Sequence, residues 1–508
     1  MDAIRGLFGT KQHQGLIPKV DTDHVYPTSL LDDTKIYRDM ILTWTFCFND
    51  VLDPEKLHSS LTRLMEIGDW RKFGGRLRIN DNGRLEVYVP QKFTPERPAV
   101  RYSHEVIDMN IDDHPLARTF PKATEKPSIH PGAEAFKEFA LTEGDPTSGY
   151  DLMKGDIPQI ALRIVSFSDA TLVSLVWPHT LMDALGLQVL LQNWSLVLAG
   201  RESEVAPVLG ARKDVIYDAA EPPSKTEAIE VEPEEELHIA PKRVAGLSLV
   251  IFGLRFLWDL FWQGGIQTRT IFMPKEVMAK MRRRALEEIA ATANPSDEKP
   301  FVSEGDVIAA WTTRMIAGSE PRQLPVTILN AINLRYWMKY LMNTSGVYAQ
   351  NLAAGTFTFL SPTMARGPVG PIALANRQHL LAQTTQPQLR AILRVLIADN
   401  QKGDATFLFG APNMQLVIIS NWTKAKIMQA ADFGAAVIQQ GETAATRKNG
   451  PGIMTHLAHS PVKQSMMTKN VMVVKGKDHE DNYWLEGSFL PQTWAIVEKE
   501  IAAFASEM

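Results

Sequence analysis

Ser174-Leu175-Val176-Trp177-Pro178-His179-Thr180-Leu181-Met182-Asp183-Ala184-Leu185-Gly186 is the stretch whose reading decides the fold. An uncharged apolar run ends at Trp177, proline interrupts it, and from Ala184 to Val197 apolar residues recur at the helical period. The segment therefore reads as strand, turn, helix, and it predicts a mixed α/β fold. His179 falls in the turn, where a side chain can face a cleft. Imidazole is the side chain whose ordinary pKa suits proton transfer near neutral pH, so His179 is a candidate general base. The bare His-x-x-x-Asp pattern is weak evidence in a chain with 12 histidines, and His104-Glu105-Val106-Ile107-Asp108 repeats it without the strand-turn-helix setting. The setting, rather than the pattern, selects His179.

Working outward, Ile41–Phe48 and Leu172–Trp177 read as strands. The run Asp53–Ile67 reads as a helix opened by Asp53 and Pro54, with Leu57, Leu61 and Leu64 on one face. Glu221-Pro222-Pro223 through Glu234-Glu235-Glu236 is acidic, contains proline and is poor in large apolar residues, as a solvated linker is. An apolar stretch, Val244–Trp262, follows, interrupted by Arg255 and Asp259; its uncharged part is too short to span a bilayer about 30 Å thick. It predicts a half-buried amphipathic helix, with contact to a membrane surface through residues 244–262 as the alternative. Beyond it come a strand at Thr270–Met273, a helix at Lys275–Leu286, a helix opened by Ser303 with Val307, Ile308 and Trp311 on one face, and strands at Thr356–Leu360 and Gln415–Ile419. The chain of 508 residues exceeds what one core supports, and we expect residues 1–220 and 266–508 to form two domains joined by residues 221–265.

Composition narrows the chemistry. With 53 Lys+Arg against 58 Asp+Glu and a net charge of −5, the chain carries no dense basic block, and a nucleic-acid partner is not expected. The single cysteine, Cys47, forms no intramolecular disulfide and no CxxC site. An N-terminal signal segment and a C-terminal retention or lipid signal are both lacking, so the expected location is cytoplasmic. Neither GxGxxG nor GxxxxGK[ST] occurs, and there is no Gly-x-Ser-x-Gly elbow for a serine nucleophile. His456 and His459 are three apart but have no acidic partner at ligand spacing, so no metal is expected.

Further motifs fall in a fixed order: Ser303-x-x-Asp306-Val307-x-Ala309-Ala310-Trp311, Asn333-Leu334-Arg335, Tyr348-x-Gln350-Asn351, Ser420-Asn421-Trp422 and Asp432-Phe433-Gly434. Together with His179–Asp183, from Tyr26 to Leu490, they resemble the BAHD acyltransferases, which move acyl groups from coenzyme A thioesters to alcohols or amines. The likeness is to the fungal, secondary-metabolite branch. It implies an α/β fold of two chloramphenicol-acetyltransferase-like domains with mixed sheets and a crossover linker. It implies His179 as general base at the domain interface, Asp183 as a structural carboxylate paired with Arg335, and Ser420 and Trp422 as donors to the tetrahedral oxyanion. Asn351 matches a substrate- or coenzyme-A-binding position, and Asp432 and Gly434 match positions that hold the fold. It further implies a monomer with no bound cofactor, taking acyl-coenzyme A, acetyl first, as co-substrate and a bulky lipophilic alcohol as acceptor. Two segments depart from the plant pattern: Ala435 and Ala436 follow Gly434 in place of Trp-Gly, and Ala184 stands where glycine is common.

Three alternatives use the same residues. Condensation domains of peptide synthetases usually carry a second histidine before the catalytic one, where Pro178 stands here. A member repurposed for a cyclisation or elimination would turn over without coenzyme A, and a non-catalytic binding protein would be indifferent to loss of His179.

Overall fold

In the computed structural model, residues 19–221, 234–262, 264–291, 300–342, 344–402, 407–443 and 445–508 are described. Of the acidic stretch Glu221–Glu236, residues 222–233 lie outside them.

The apolar runs become strands of two mixed sheets. Five strands form one, in the order His456–Pro461, Ile41–Phe48, Thr171–Pro178, Ile160–Ser166 and Val100–Val106. Seven form the other: Ala353–Leu360, Val326–Asn333, Gln415–Asn421, Val471–Lys477, Tyr483–Phe489, Gln267–Met273 and Ser128–Pro131. Val326–Asn333 and Gln415–Asn421 run parallel, so their C-terminal ends lie side by side. Ile41–Phe48 and Thr171–Pro178 run antiparallel, with Ile41 opposite Pro178.

Three strands cross the linear division of the chain. Ser128–Pro131, from the first half, pairs with Gln267–Met273, while His456–Pro461, from the second, pairs with Ile41–Phe48. Val437–Gln440 pairs with Asp50–Leu52. These exchanges stitch the two halves together through main-chain hydrogen bonds.

Helix Ala184–Leu198 packs on the five-stranded sheet beside helix Pro54–Leu64. Its Leu187, Leu190, Leu191 and Trp194 are fully buried, and burying each such side chain stabilises by about 1.5–3 kcal/mol. Trp194 Nε1 donates to Ser60 Oγ at 2.9 Å, which keeps the indole satisfied in the core. The Ser303 helix, Glu304–Ser319, opens with a capping box in which Ser303 and Asp306 bond reciprocally. The apolar stretch after the linker is a helix, Leu247–Trp262, and among the described residues no helix is long and apolar enough to cross a membrane.

Candidate active site

Three strand ends meet where the sheets approach. Thr171–Pro178 delivers His179, Val326–Asn333 delivers Asn333 and the turn carrying Arg335, and Gln415–Asn421 delivers Ser420 and then Trp422. They border a cavity of about 450 Å3 that His179, Trp44, Trp177, Ser420, Trp422 and His459 help to line.

Asp183 is the knot beneath it. Its side chain caps helix Ala184–Leu198 by accepting from Gly186 N at 2.8 Å. The other oxygen accepts from Arg335 Nη1 at 2.8 Å, Asn333 Nδ2 at 3.1 Å and Leu352 N at 3.0 Å. Arg335 also donates to the carbonyls of Tyr348 and Gln350, at 2.9 and 2.5 Å, and to Asn333 Oδ1 at 3.1 Å. Four elements are thus held by one buried carboxylate, which makes no hydrogen bond to His179. Gly186 is needed at this junction, because a Cβ there would stand 2.1 Å from the Ala349 carbonyl oxygen.

His179 is anchored by its main chain. Its N–H donates to Met40 O at 2.8 Å, and its carbonyl accepts from Asn351 Nδ2 at 2.8 Å. Tyr37, from the short helix Lys35–Arg38, lies flat on the imidazole, with centroids 3.9 Å apart and planes 2° from parallel. The ring's Nδ1 is sealed from solvent, as is Asn351 Oδ1, and neither makes a hydrogen bond of good geometry. Burial pushes the His179 pKa down, against the opposing pull of its own carbonyl, Asp183 and Asn351. Burial likewise pushes the Tyr37 hydroxyl up to about 12, so it stays protonated.

Ser420 and Trp422 stand together on the cavity wall. Trp422 Nε1 donates to Ser420 Oγ at 2.9 Å. The indole N–H is therefore used on the hydroxyl, and the Ser420 O–H is the donor left to face the cavity.

Asn351 differs from its expected place. It is 1% exposed and does not line the cavity; Nδ2 bonds both Asp32 Oδ1 and the His179 carbonyl at 2.8 Å. The side chain so enclosed ties the His179 carbonyl to Asp32. Asp432 and Gly434 form a turn in which Gly434 N donates to Asp432 Oδ1 at 3.0 Å, and Asp432 N donates to Ser195 Oγ at 2.9 Å. Between them Phe433 is buried against Trp194 and Phe48, at 4.5 and 5.3 Å between centroids. The segment clamps the Ala184–Leu198 helix and lies outside the cavity lining.

Sequence reasoning missed three lining residues. Tyr37 lies just before the strand Ile41–Phe48 with no pattern to mark it. Trp44 was legible only as a strand residue, and His459 only as a metal candidate. His459 stands edge-on to Trp44 and Trp422, at 4.6 and 5.0 Å, and burial with Lys475 and His179 lowers its pKa to about 3. His456 and His459, three apart on a strand, point to opposite faces, and among the described residues no cluster of three or more His, Cys, Asp or Glu suits a metal.

No family model matches the chain. Among curated proteins it is 37% identical to the O-acetyltransferase PaAT-2 of Phomopsis amygdali over 95% of this chain and 98% of that one. It is 33% identical to the acetyltransferase pyiB of Pyricularia grisea, covering 97% and 96%. A protein of Penicillium decumbens named transcriptional regulator calD is also 33% identical, covering 98% of each chain. Among solved structures, F. graminearum TRI101 complexed with coenzyme A and T-2 mycotoxin superposes with a TM-score of 0.63 at 13% identity, over 94% of this chain and 97% of that one. Vinorine synthase superposes with a TM-score of 0.57 at 13% identity, over 96% and 95%. The fold is theirs, and the sequence likeness is to the fungal acetyltransferases. The chain belongs to the BAHD-type acyl-coenzyme-A-dependent acyltransferases, in the branch of fungal acetyltransferases of secondary metabolism.

Proposed function

We propose that this enzyme transfers an acetyl group from acetyl-coenzyme A to a hydroxyl of a bulky lipophilic metabolite, with His179 as general base. The observation that carries the reading is that a buried, neutral imidazole and the Ser420 hydroxyl line one cavity. In the neutral ring one nitrogen carries the proton and the other a lone pair, and the Nδ1–H tautomer leaves the Nε2 lone pair for a proton. As the alcohol oxygen attacks the thioester carbonyl, its proton passes to Nε2. The tetrahedral oxyanion accepts from Ser420 O–H, whose oxygen is polarised by Trp422 N–H. Collapse breaks the carbon–sulfur bond and releases the ester, and the thiolate takes the proton back from the imidazolium. The leaving group and the base are thereby both restored, and no acyl-enzyme is needed.

Trp44, Trp177, Trp422 and His459 give one part of the cavity a largely aromatic wall suited to a lipophilic acceptor. Lys424, elsewhere on the lining, suits a phosphate of the coenzyme. The test is thiol release from acetyl-coenzyme A with a panel of terpenoid alcohols, in the natural enzyme and in His179→Ala. Turnover retained in the variant, or product formed without coenzyme A, would overturn the assignment.

We further propose that the enzyme works as a cytoplasmic monomer resting on a membrane surface. Helix Leu247–Trp262 is inverted: its Asp259 is buried and bonded to Lys469 at 2.9 Å and Arg322 at 2.7 Å, while Leu247, Val250, Ile251, Leu254 and Trp258 face outward. Leu247 is 74% exposed and Trp258 58%. Such a stripe fits the interface of a bilayer that stores lipophilic acceptors. Flotation with phosphatidylcholine vesicles should carry the protein, Leu254→Glu should release it, and equal flotation of both would sink the idea.

A further inference from the structure

His179 has a carbonyl, an amide and a ring to be held, and one short stretch of chain, ahead of the strand Ile41–Phe48, reaches all three. Asp32 is 1% exposed and accepts from Asn351 N and Nδ2, both at 2.8 Å, and the same Nδ2 donates to the His179 carbonyl. Met40 O accepts from His179 N at 2.8 Å. Between them in the chain, Tyr37 lies on the imidazole face, with centroids 3.9 Å apart and planes 2° from parallel.

The stretch is itself fastened. Thr34 caps the turn Lys35–Arg38 by accepting from Tyr37 N at 3.3 Å. Arg38 pairs with buried Asp33 at 2.6 Å and donates to Gly83 O at 2.8 Å. The Arg38 carbonyl packs so closely on helix Gly149–Met153 that a Cβ at Gly149 would stand 2.2 Å from its oxygen. Lys35, Ile36 and Asp39 face solvent, while half-buried Tyr37 reaches the lining of the catalytic cavity.

Stacking removes the freedom that the main-chain bonds leave. A histidine whose backbone is fixed can still turn about its side-chain torsions. With a coplanar phenol in van der Waals contact, turning the imidazole out of its plane drives an edge into Tyr37. Nδ1 is sealed from solvent and His179 lines the cavity, so the ring held in this plane meets the cavity on its Nε2 side. Burial keeps both rings uncharged at rest, lowering the His179 pKa and pushing the Tyr37 hydroxyl up to about 12. Once Nε2 takes the alcohol's proton, positive charge forms within the roughly 6 Å over which an aromatic face attracts a cation. The phenol thereby favours the imidazolium as it develops, more than the resting base.

We propose that Tyr37 is a positioning residue for the transfer, its ring and not its hydroxyl fixing the plane in which His179 presents Nε2 to the acceptor. The proposal rests on the reading of His179 as general base.

The test sets Tyr37→Phe, which keeps the ring, against Tyr37→Leu, which keeps apolar cover without a flat face, both in the full chain. With acetyl-coenzyme A and the terpenoid alcohol that turns over fastest, Tyr37→Leu should lower kcat about 10–100-fold with both KM values and the thermal transition little changed, and Tyr37→Phe should stay within about twofold of the natural enzyme. A second readout needs no acceptor. In crystals, the His179 imidazole should take one orientation in the natural protein and in Tyr37→Phe, and more than one in Tyr37→Leu. Full kcat in Tyr37→Leu, a loss in Tyr37→Phe as large as that in Tyr37→Leu, a change confined to the KM for the alcohol, or a single unchanged imidazole orientation in Tyr37→Leu overturns the proposal. If no alcohol turns over, the crystal readout decides. His179→Ala, run alongside, separates the two failures: turnover kept in it refutes the base, whereas turnover lost in it beside an unaffected Tyr37→Leu refutes the positioning role alone.

Discussion

His104–Asp108 and His179–Asp183 are the same five-residue pattern in two physical situations. His104 sits on the edge strand Val100–Val106, exposed, with Nε2 bonded to Ser166 Oγ at 3.0 Å, and Asp108 is exposed beyond the strand. His179 sits past the end of an interior strand, under Tyr37, beside a cavity, with Asp183 buried in four hydrogen bonds. The difference lies in what surrounds the pair. Solvent and the Ser166 hydroxyl satisfy the first copy. Burial raises the cost of charging the second, and the Met40 carbonyl and the Asn351 amide hold its backbone in place.

The widest separation of the two copies should appear in turnover. His179→Ala should lower kcat by about 10²–10⁴-fold with the thermal transition nearly unchanged, while His104→Ala leaves both alone; steady-state thiol release measures it. Similar losses in both would erase the distinction.

Asp183→Ala strands the buried guanidinium of Arg335 and removes a helix cap, and should cost about 3–5 kcal/mol in chemical denaturation, against nearly nothing for Asp108→Ala. A stable but inactive Asp183→Ala would instead place that carboxylate in the chemistry.

Ser420→Ala should lower kcat by about 10²–10³-fold with KM little changed. Trp422→Phe, which acts only through Ser420, should cost about tenfold, the worth of one hydrogen bond. Equal losses would mean that the indole meets the oxyanion itself.

The smallest effect is on pH dependence. His179 works unprotonated and its pKa is lowered, so the acid limb of kcat/KM should fall below the ordinary 6.5. The sign for stability is the same: the unfolded chain takes up protons that buried His179, His456 and His459 refuse, so stability present above 6.5 should decline as pH falls beneath it. Urea midpoints at pH 7.5 and 5.5 would show it, and the His104→Ala variant should give the same difference.

Much of the local structure was legible because it depends on near neighbours. Ile41–Phe48 is a strand as read, the expected Asp53–Ile67 helix runs Pro54–Leu64 with Asp53 as its cap, and the Ser303 capping box forms with Asp306. Strands read at Thr270–Met273 and Thr356–Leu360 begin three residues earlier, at Gln267 and Ala353, where alternation is weak. The order of motifs also located His179, Asp183, Arg335, Ser420 and Trp422, and the structure brings all five around one junction. Asn351 shows the limit: its motif position could be read, but the direction of its amide, toward Asp32 and the His179 carbonyl, could not.

By itself, then, the sequence determined the secondary elements, the strand-to-helix turn that carries His179, and the family, because periodicity, caps and spaced motifs are local or ordered along the chain. Only the tertiary structure decided that His456–Pro461 would join a strand more than four hundred residues earlier in the chain, that Tyr37 would cover the imidazole, and that the Trp422 indole would donate to Ser420. Those outcomes depend on which surfaces meet. Pairing across such distances is set by the fit of whole sheets and the exclusion of water between them, which no window of residues contains.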